Sequence, residues 1–174
     1  MTFELNKRIE ILSRTPVVLE SLLNNLSEEW LLNNEGEYTW SPYDVIGHLI
    51  HGEKTDWIPR AKIILSDTAD KTFEPFDRFA QMNDTQGKSI GALLQEFKAL
   101  RTENIKELKA FELNAEKLAR KGIHPALGVA TLEELLSTWT VHDLGHIAQI
   151  SRVMAKQYQS EVGPWRAYLG ILKK

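Results

Sequence analysis

The sequence contains no cysteine. A disulfide framework, a zinc-thiolate site and a cysteine nucleophile are therefore excluded. Any metal ion must instead be held by imidazole, carboxylate or water ligands. The N-terminal residues MTFELNKRIE are polar and amphipathic, unlike a secretory signal peptide. Together these features predict a cytoplasmic protein.

The sequence also lacks long hydrophobic runs and an excess of one charge. No apolar run approaches the roughly 18 residues that a membrane-spanning helix needs, so we expect no membrane segment. The 21 basic and 24 acidic residues give a net charge of -3 and form no basic block, so no nucleic-acid partner is expected. With 43% hydrophobic and 26% charged residues, the 174-residue chain is typical of a single globular domain over residues 1–174.

Four segments carry hydrophobic residues at the three- and four-residue spacing of amphipathic helices. Ser41 before Pro42 predicts the start of the second helix, and Thr131 with Glu134 forms a capping box at the start of the fourth. The predicted helices span residues 5–26, 41–65, 89–119 and 131–158.

Two prolines fall inside these predicted helices. Pro16 follows Thr15, a pattern that predicts a kink or a restart in the first helix. Pro59 predicts a bend in the second.

The connections between the helices carry information about topology. Four long helices in a chain of this length predict an all-α four-helix bundle. Residues 66–88 are polar and irregular, long enough to return along the bundle, so that the third helix starts parallel to the second. We therefore predict up-down-down-up topology. No strand alternation is visible, and the segment GPWRAYLGILKK, residues 163–174, is expected to add a short C-terminal helical segment.

Three of the five histidines are candidate metal ligands. His142 and His146 are four residues apart, so both imidazoles lie on one face of the fourth helix. His48 and His51 lie on nearly the same side of the second helix, and spacing alone does not choose between them. Two histidines from one helix and one from the other give a three-nitrogen site with an open coordination position, as in catalytic zinc sites. The competing interpretation is that these histidines are packed core residues.

The residues around these histidines suggest few further roles. Gln149 lies on the face of His146 and is a candidate hydrogen-bond partner for a ligand or bound water. Glu53 and Asp143 point away from the histidines and are expected to be solvated, although Glu53 and Asp56 would offer a general base if they turned inward. Tryptophans at three positions are expected to form core or pocket wall: Trp40, Trp57 and Trp139.

Two stretches together resemble the DinB-like superfamily of helical-bundle proteins. The first is WSPYDVIGHLIHGEKTDW at residues 40–57, and the second is TLEELLSTWTVHDLGHIAQISRVMA at residues 131–155. The family pattern is a Trp-Ser/Thr-Pro opening, a His-Leu on the same helix and a late His-x-x-x-His followed by Gln. All three parts occur in this order.

The resemblance implies an up-down-down-up bundle with a divalent metal, nickel or zinc, bound by His48, His142 and His146. It also implies that His51 is not a primary ligand. The loop HPALG, residues 124–128, is similar to one in a subgroup of the family, which would place His124 at the pocket mouth without assigning it a role. Homodimers are common in the family, so the resemblance implies a homodimer.

The resemblance leaves two reactions open. Relatives activate a low-molecular-weight thiol such as bacillithiol or mycothiol for transfer, or are described as metal-dependent hydrolases. A divalent ion with an open position supports either reaction on a small-molecule substrate. The alternative is a non-enzymatic, stress-related or ligand-binding bundle with a structural or vestigial metal site. A ferritin-like di-iron centre is excluded, because the sequence has no Glu-x-x-His pair.

Overall fold

A computed structural model describes residues 4–173 of the chain, so Lys174 of the C-terminal segment lies outside the described residues. The elements follow in chain order: α1 (Leu5–Leu23), α2 (Glu28–Leu32), α3 (Pro42–Thr55), α4 (Trp57–Leu65), α5 (Gln81–Asp84), α6 (Ile90–Ala110), α7 (Ala115–Ala119), β1 (Lys121–His124), β2 (Gly128–Thr131) and α8 (Leu132–Lys156). Two short 3-10 turns, Gly163–Ala167 and Gly170–Leu172, end the described chain. The predicted four-helix bundle is confirmed, with α1, α3 continued by α4, α6 and α8 as its four members.

Side-chain contacts give the direction of each helix. Ion pairs join Lys54 to Glu96 and Lys62 to Glu107, in the same chain order, so the second and third long helices are parallel. His48 contacts His142 and His146, whereas Glu53, further along α3, contacts Trp139, so α8 runs antiparallel to α3.

Helix α1 supplies the remaining directions. Lys98 of α6 pairs with Glu20, and Arg101 bonds to the earlier Leu12, so α1 and α6 are antiparallel. Together the four directions give the up-down-down-up order.

The helix starts follow the sequence signals. Ser41 and Thr131 each accept a hydrogen bond from the backbone amide three residues on, and Asp44 and Glu134 bond back to the cap residue. Both are capping boxes, which satisfy amide groups that have no partner inside the helix. They fix the first turns of α3 and α8, the two helices that carry the candidate ligands.

The prolines behave differently from the prediction. Helix α1 runs from Leu5 to Leu23 through Pro16 without a restart. The second helix is interrupted at Asp56, whose φ and ψ are -107° and -76°, rather than bent at Pro59. Pro59 lies in the first turn of α4, where amide groups have no carbonyl partner within the helix. Its lack of an amide proton therefore costs no helical hydrogen bond.

The predicted third helix is shorter than expected. Helix α6 ends at Ala110, and Glu112 has a φ of +47° that no continuing helix adopts. The short helix α7 follows as a separate element, capped by Asn114.

A two-stranded antiparallel hairpin, β1 and β2, was not predicted. Its register pairs Lys121 with Thr131 and His124 with Gly128, whose φ of +80° suits glycine. The strands are four residues long, too short for alternation to be visible in the sequence. Ile123 exchanges two backbone hydrogen bonds of 2.9 Å with Lys71 and Phe73, which ties the hairpin to the connection over residues 66–89.

Gly122 allows this attachment. A Cβ atom on Gly122 would lie 2.5 Å from the ring of Phe73, closer than carbon atoms approach one another. Phe73 is buried against the α4 end of the core. The glycine therefore lets the hairpin close over the bundle beside His124.

The core consists of two apolar clusters separated by a polar layer. One cluster includes Leu12, Trp57 and Trp139, and the other includes Leu19 and Phe97. Between them the helices contribute buried or half-buried polar side chains: His48, Glu53, Arg101, His142, Asp143 and His146. No helix within residues 4–173 is both long and apolar enough to span a membrane.

Candidate metal centre

The three predicted histidines converge at one point of the polar layer. The Nε2 atom of His142 lies 3.1 Å from Nε2 of His48 and 3.0 Å from Nε2 of His146. One ligand atom from each of the three lies within 4.8 Å of the others. His48 is buried, and His142 and His146 are half-buried.

The spacing of these nitrogens fits a shared metal ion. Two imidazole nitrogens bound at about 2.05 Å to one ion lie about 2.9 Å apart at a right angle and about 3.3 Å apart at the tetrahedral angle. The observed separations fall within this interval. Three imidazole ligands leave at least one coordination position for another ligand.

The ring nitrogens on the far side of the histidines support the same assignment. Nδ1 of His146 lies 2.8 Å from Oε1 of Gln149, so Nδ1 carries the proton and the Nε2 lone pair faces the cluster. Within residues 4–173, Nδ1 of His48 and Nδ1 of His142 are buried without a hydrogen-bond partner. With the protons of His48 and His142 on Nδ1, as on His146, all three Nε2 lone pairs would face the shared point, where an ion could bind them.

The electrostatic setting keeps these rings neutral. Desolvation, with the nearby charge of His146, lowers the pKa of His48 to about 3. Desolvation, together with His146 and His48, also lowers the pKa of His142 to about 3. The pKa of His146 is lowered by burial as well, against the raising effects of Gln149 and Asp143. A metal ligand must be the neutral imidazole, so little proton competition is expected near neutral pH.

An open cleft of about 570 Å³ gives access to the histidines. Its walls are largely apolar and include Trp40, Phe76 and Pro125. Trp40 lies 4.7 Å from His48 between ring centroids, and Phe76 meets the same imidazole edge-on at 5.4 Å. A second depression of about 420 Å³ shares Trp40, Arg78 and His146 with the first. The cleft can therefore admit a small molecule to the open side of the cluster.

A buried ionic cluster lies behind the histidines. Arg101 donates two hydrogen bonds to Asp143, at 2.6 and 3.0 Å, and one of 2.8 Å to Glu53. Glu53 also accepts from Trp139 at 3.2 Å and from Asn104 at 2.9 Å. The side chains of all three charged residues are at most 1% exposed. This cluster links α3, α6 and α8 at the level of the histidines.

The first helix contributes the last bond of this ionic cluster. Arg101 donates a 2.8 Å hydrogen bond to the carbonyl oxygen of Leu12. In a regular helix that carbonyl would accept from residue 16, but Pro16 has no amide proton. Pro16 therefore frees an acceptor that the buried guanidinium uses.

Two predictions about carboxylates were wrong. Glu53 and Asp143 are not solvated, because both are buried and paired with Arg101. Asp56 pairs with Arg60 at 2.6 Å, and burial raises its pKa to about 6 against the effect of Arg60. None of these three carboxylates lines the cleft.

The other residues discussed around the site lie near the positions expected for them. Gln149 bonds to His146, as its position on the helix suggested. His51 lies outside the cluster with its ring 4.9 Å from Phe76, and His124 lines the cleft. Trp57 and Trp139 are core residues with rings stacked at 5.8 Å, and Trp40 forms part of the cleft wall.

Two arginines of the site were missed. Arg101 lies four residues after Phe97 and four before Ile105, inside the apolar stripe of α6, and that position was the available signal. Arg78 lies in the connection between α4 and α6, where no periodicity places a side chain.

Comparisons with known proteins agree with this architecture. A structural match covers 90% of this chain and 90% of the matched chain, with a TM-score of 0.75 and 20% sequence identity. The matched protein is YfiT from Bacillus subtilis, described as "a probable metal-dependent hydrolase with an unusual four-helix bundle topology". At this identity the likeness shows the fold. No curated protein matches the sequence.

The family follows from a separate comparison of the sequence. The model of the DinB superfamily matches residues 11–150, which include α3, the polar layer and most of α8. The chain therefore belongs to the DinB superfamily.

Proposed function

We propose that the protein binds a divalent metal ion, nickel or zinc, through His48, His142 and His146, and that it is an enzyme acting on a small molecule. The convergence of three Nε2 atoms beside an open cleft carries this proposal. A divalent ion with an open position lowers the pKa of a bound water or thiol and polarises an electrophile. The description of YfiT as a probable metal-dependent hydrolase supports the same class of chemistry.

The protein's own residues supply binding and orientation. The ionic cluster around Arg101 joins the two ligand-bearing helices, α3 and α8, and a capping box fixes the first turn of each. Gln149 fixes the tautomer of His146. Trp40, Phe76 and Pro125 offer an apolar surface to a substrate.

The cleft wall suits thiol transfer, which needs no carboxylic acid there. Amide hydrolysis needs a group that returns a proton to the leaving amine, commonly a histidine or a carboxylic acid, and of these His124 lies in the cleft beside the three candidate ligands. Within residues 4–173 no Asp or Glu lines the cleft that contains the three histidines. Glu35, which lines the neighbouring depression, is engaged by Arg152 at 2.7 Å and Lys156 at 3.2 Å. A thiol releases its proton on binding and needs no such group for transfer to an electrophile.

Metal analysis tests the site. Purified protein loaded with zinc or nickel and then dialysed should retain bound metal, measured by mass spectrometry. His142→Ala and His146→Ala should lose it because each removes a ligand, whereas His51→Ala, a histidine of α3 outside the cluster, should retain it. Unchanged metal content in the His142 and His146 variants would refute the site.

A substrate panel tests the activity. The metal-loaded protein is assayed with low-molecular-weight thiols plus electrophiles, and separately with esters and amides. Turnover in the thiol set that disappears in His142→Ala supports the proposal. Faster turnover of esters or amides would favour a hydrolase. No turnover in any set, with metal retained, would favour the non-enzymatic ligand-binding protein.

A further inference from the structure

Arg78 is an unpaired cation at the entrance to the histidines. Among residues 4–173 no carboxylate forms an ion pair or hydrogen bond with its guanidinium, which instead lies 5.9 Å from the ring of Trp40. Arg78 lines both the 570 Å³ cleft and the adjoining depression. The Arg78 side chain is exposed at the cleft, so the charge-assisted hydrogen bonds of its guanidinium are available to an anionic ligand there.

His124 supplies a second donor in the same cleft. Its Nδ1 accepts hydrogen bonds from the backbone amides of Ala126 at 3.1 Å and Leu127 at 3.2 Å, within the turn of the hairpin. A neutral imidazole that accepts at Nδ1 carries its proton on Nε2. His124 lines the cleft that contains the three clustered histidines, so its ring is accessible to a ligand bound there. The two turn amides therefore fix the tautomer of His124, with the proton on Nε2.

The remaining wall of this cleft contains no competing negative charge. Its described residues are the clustered histidines, the two donors and apolar side chains, among them Trp40 and Phe76. A positively charged donor, a neutral donor and aromatic faces together match a molecule with an apolar body and an anionic oxygen group.

We propose that Arg78 and His124 form an anion-binding subsite beside the three histidines, which selects small substrates carrying a carboxylate or phosphate group on an apolar body. Arg78 binds the anionic group, and the Nε2–H of His124 adds a hydrogen bond. This inference rests on the proposed function for the identity of the cleft as the substrate site. The binding of anions to the subsite is measurable without any turnover.

Isothermal titration calorimetry with three probes tests the subsite. Phenylacetate and phenyl phosphate carry the two kinds of anion, and phenylacetamide is the neutral counterpart of phenylacetate. Each is titrated into the full chain, both metal-free and zinc-loaded. We expect at least one anion to bind both forms, and phenylacetamide to bind at least about tenfold more weakly than phenylacetate where the carboxylate is the anion bound. The anion with the lower dissociation constant identifies the preferred group.

Matched variants assign the binding to the two residues. Arg78→Gln should weaken binding of the preferred anion by about tenfold or more, because it removes a charge-assisted hydrogen bond. Lys106→Gln removes the same charge from an exposed position on α6 and should leave the affinity unchanged. His124→Asn keeps an oxygen that can accept from the two turn amides but removes the Nε2–H, and should weaken binding by about fivefold.

Several results would overturn the subsite. One is equal binding of the preferred anion by the unaltered protein and Arg78→Gln. Others are equal binding of phenylacetate and phenylacetamide when the carboxylate is preferred, and no binding of either anion at millimolar concentration. Anion binding that needs zinc but not Arg78 would show coordination to the metal instead. Loss of metal binding or turnover with an intact Arg78 effect would refute the proposed function and leave the subsite standing.

Discussion

The two polar clusters in the middle of the bundle differ in how their hydrogen-bonding groups are matched. In the ionic cluster, the guanidinium of Arg101 faces the carboxylates of Glu53 and Asp143 and the carbonyl of Leu12. In the histidine cluster, three Nε2 atoms of the same chemical kind face one another. Donors and acceptors that hydrogen-bond to each other stabilise the fold, whereas three converging imidazole nitrogens are suited to bind a ligand.

The clusters also differ in access to solvent. The side chains of Arg101, Glu53 and Asp143 are at most 1% exposed, whereas His142 and His146 are half-buried and border a cleft. Asp143 and His142 are consecutive residues of α8, so one turn of helix presents one side chain to each cluster. The fully enclosed cluster is therefore suited to stabilise the bundle, and the accessible one to bind and react.

Breaking the ionic cluster should have the largest effect. Arg101→Met removes the cation between two buried carboxylates and should lower the free energy of unfolding by about 3–5 kcal/mol, because the remaining charges stay buried without a partner. Urea denaturation followed by circular dichroism measures this loss.

Arg101→Lys is the matched control for that change. It keeps the charge but loses the paired bonds to Asp143, so its loss should be smaller than that of Arg101→Met. If Arg101→Met lost less than about 1 kcal/mol, the ionic cluster would have little part in stability.

Filling the histidine cluster should have the next largest effect. Zinc or nickel at a hundred times its dissociation constant should raise the free energy of unfolding by about 2.7 kcal/mol, since the ion binds the folded state. His142→Ala, which removes the nitrogen shared by both short contacts, should abolish this gain. Thermal unfolding with and without metal measures it, and an equal gain in both proteins would place the ion elsewhere.

The histidine cluster was the more predictable of the two from sequence. The four-residue spacing of His142 and His146 fixes their common face on one helix. The choice of His48 over His51 came from the family resemblance, because their positions on α3 are nearly equivalent by spacing. The bundle and its capping boxes were predictable for a similar reason, since their signals are local.

The ionic cluster was not predictable, because it depends on which helices are neighbours. Asp143 points away from His142 by about 100°. The sequence alone predicts that this direction leads to solvent, but in this bundle it leads to Arg101 of α6. Glu53 is likewise turned from His48 toward the same arginine. The hairpin is not predictable from a local pattern, because Ile123 of β1 pairs with Lys71 and Phe73, which are distant in sequence.

Loosening one ligand without removing it should have a smaller effect. Gln149→Ala removes the acceptor at Nδ1 of His146 and should weaken metal binding by about 10- to 100-fold while leaving the stability of the metal-free protein nearly unchanged. Gln149→Glu keeps an acceptor and should retain more affinity. Competition with a chromogenic chelator measures both, and equal affinity in Gln149→Ala would mean that the hydrogen bond does not orient the ligand.

The smallest effect is expected where α1 meets the ionic cluster. A proline inside a helix ordinarily costs about 3 kcal/mol, partly because the carbonyl four residues earlier loses its partner. Here that carbonyl, on Leu12, accepts from Arg101. Pro16→Ala should therefore raise the free energy of unfolding by about 1 kcal/mol or less, well below the usual gain. Urea denaturation of Pro16→Ala in the Arg101→Lys background provides the control. The gain in the free energy of unfolding should be larger in that background, because the guanidinium that donates to the Leu12 carbonyl is gone. A full gain of about 3 kcal/mol in the unaltered background would show that Arg101 does not compensate for the missing amide.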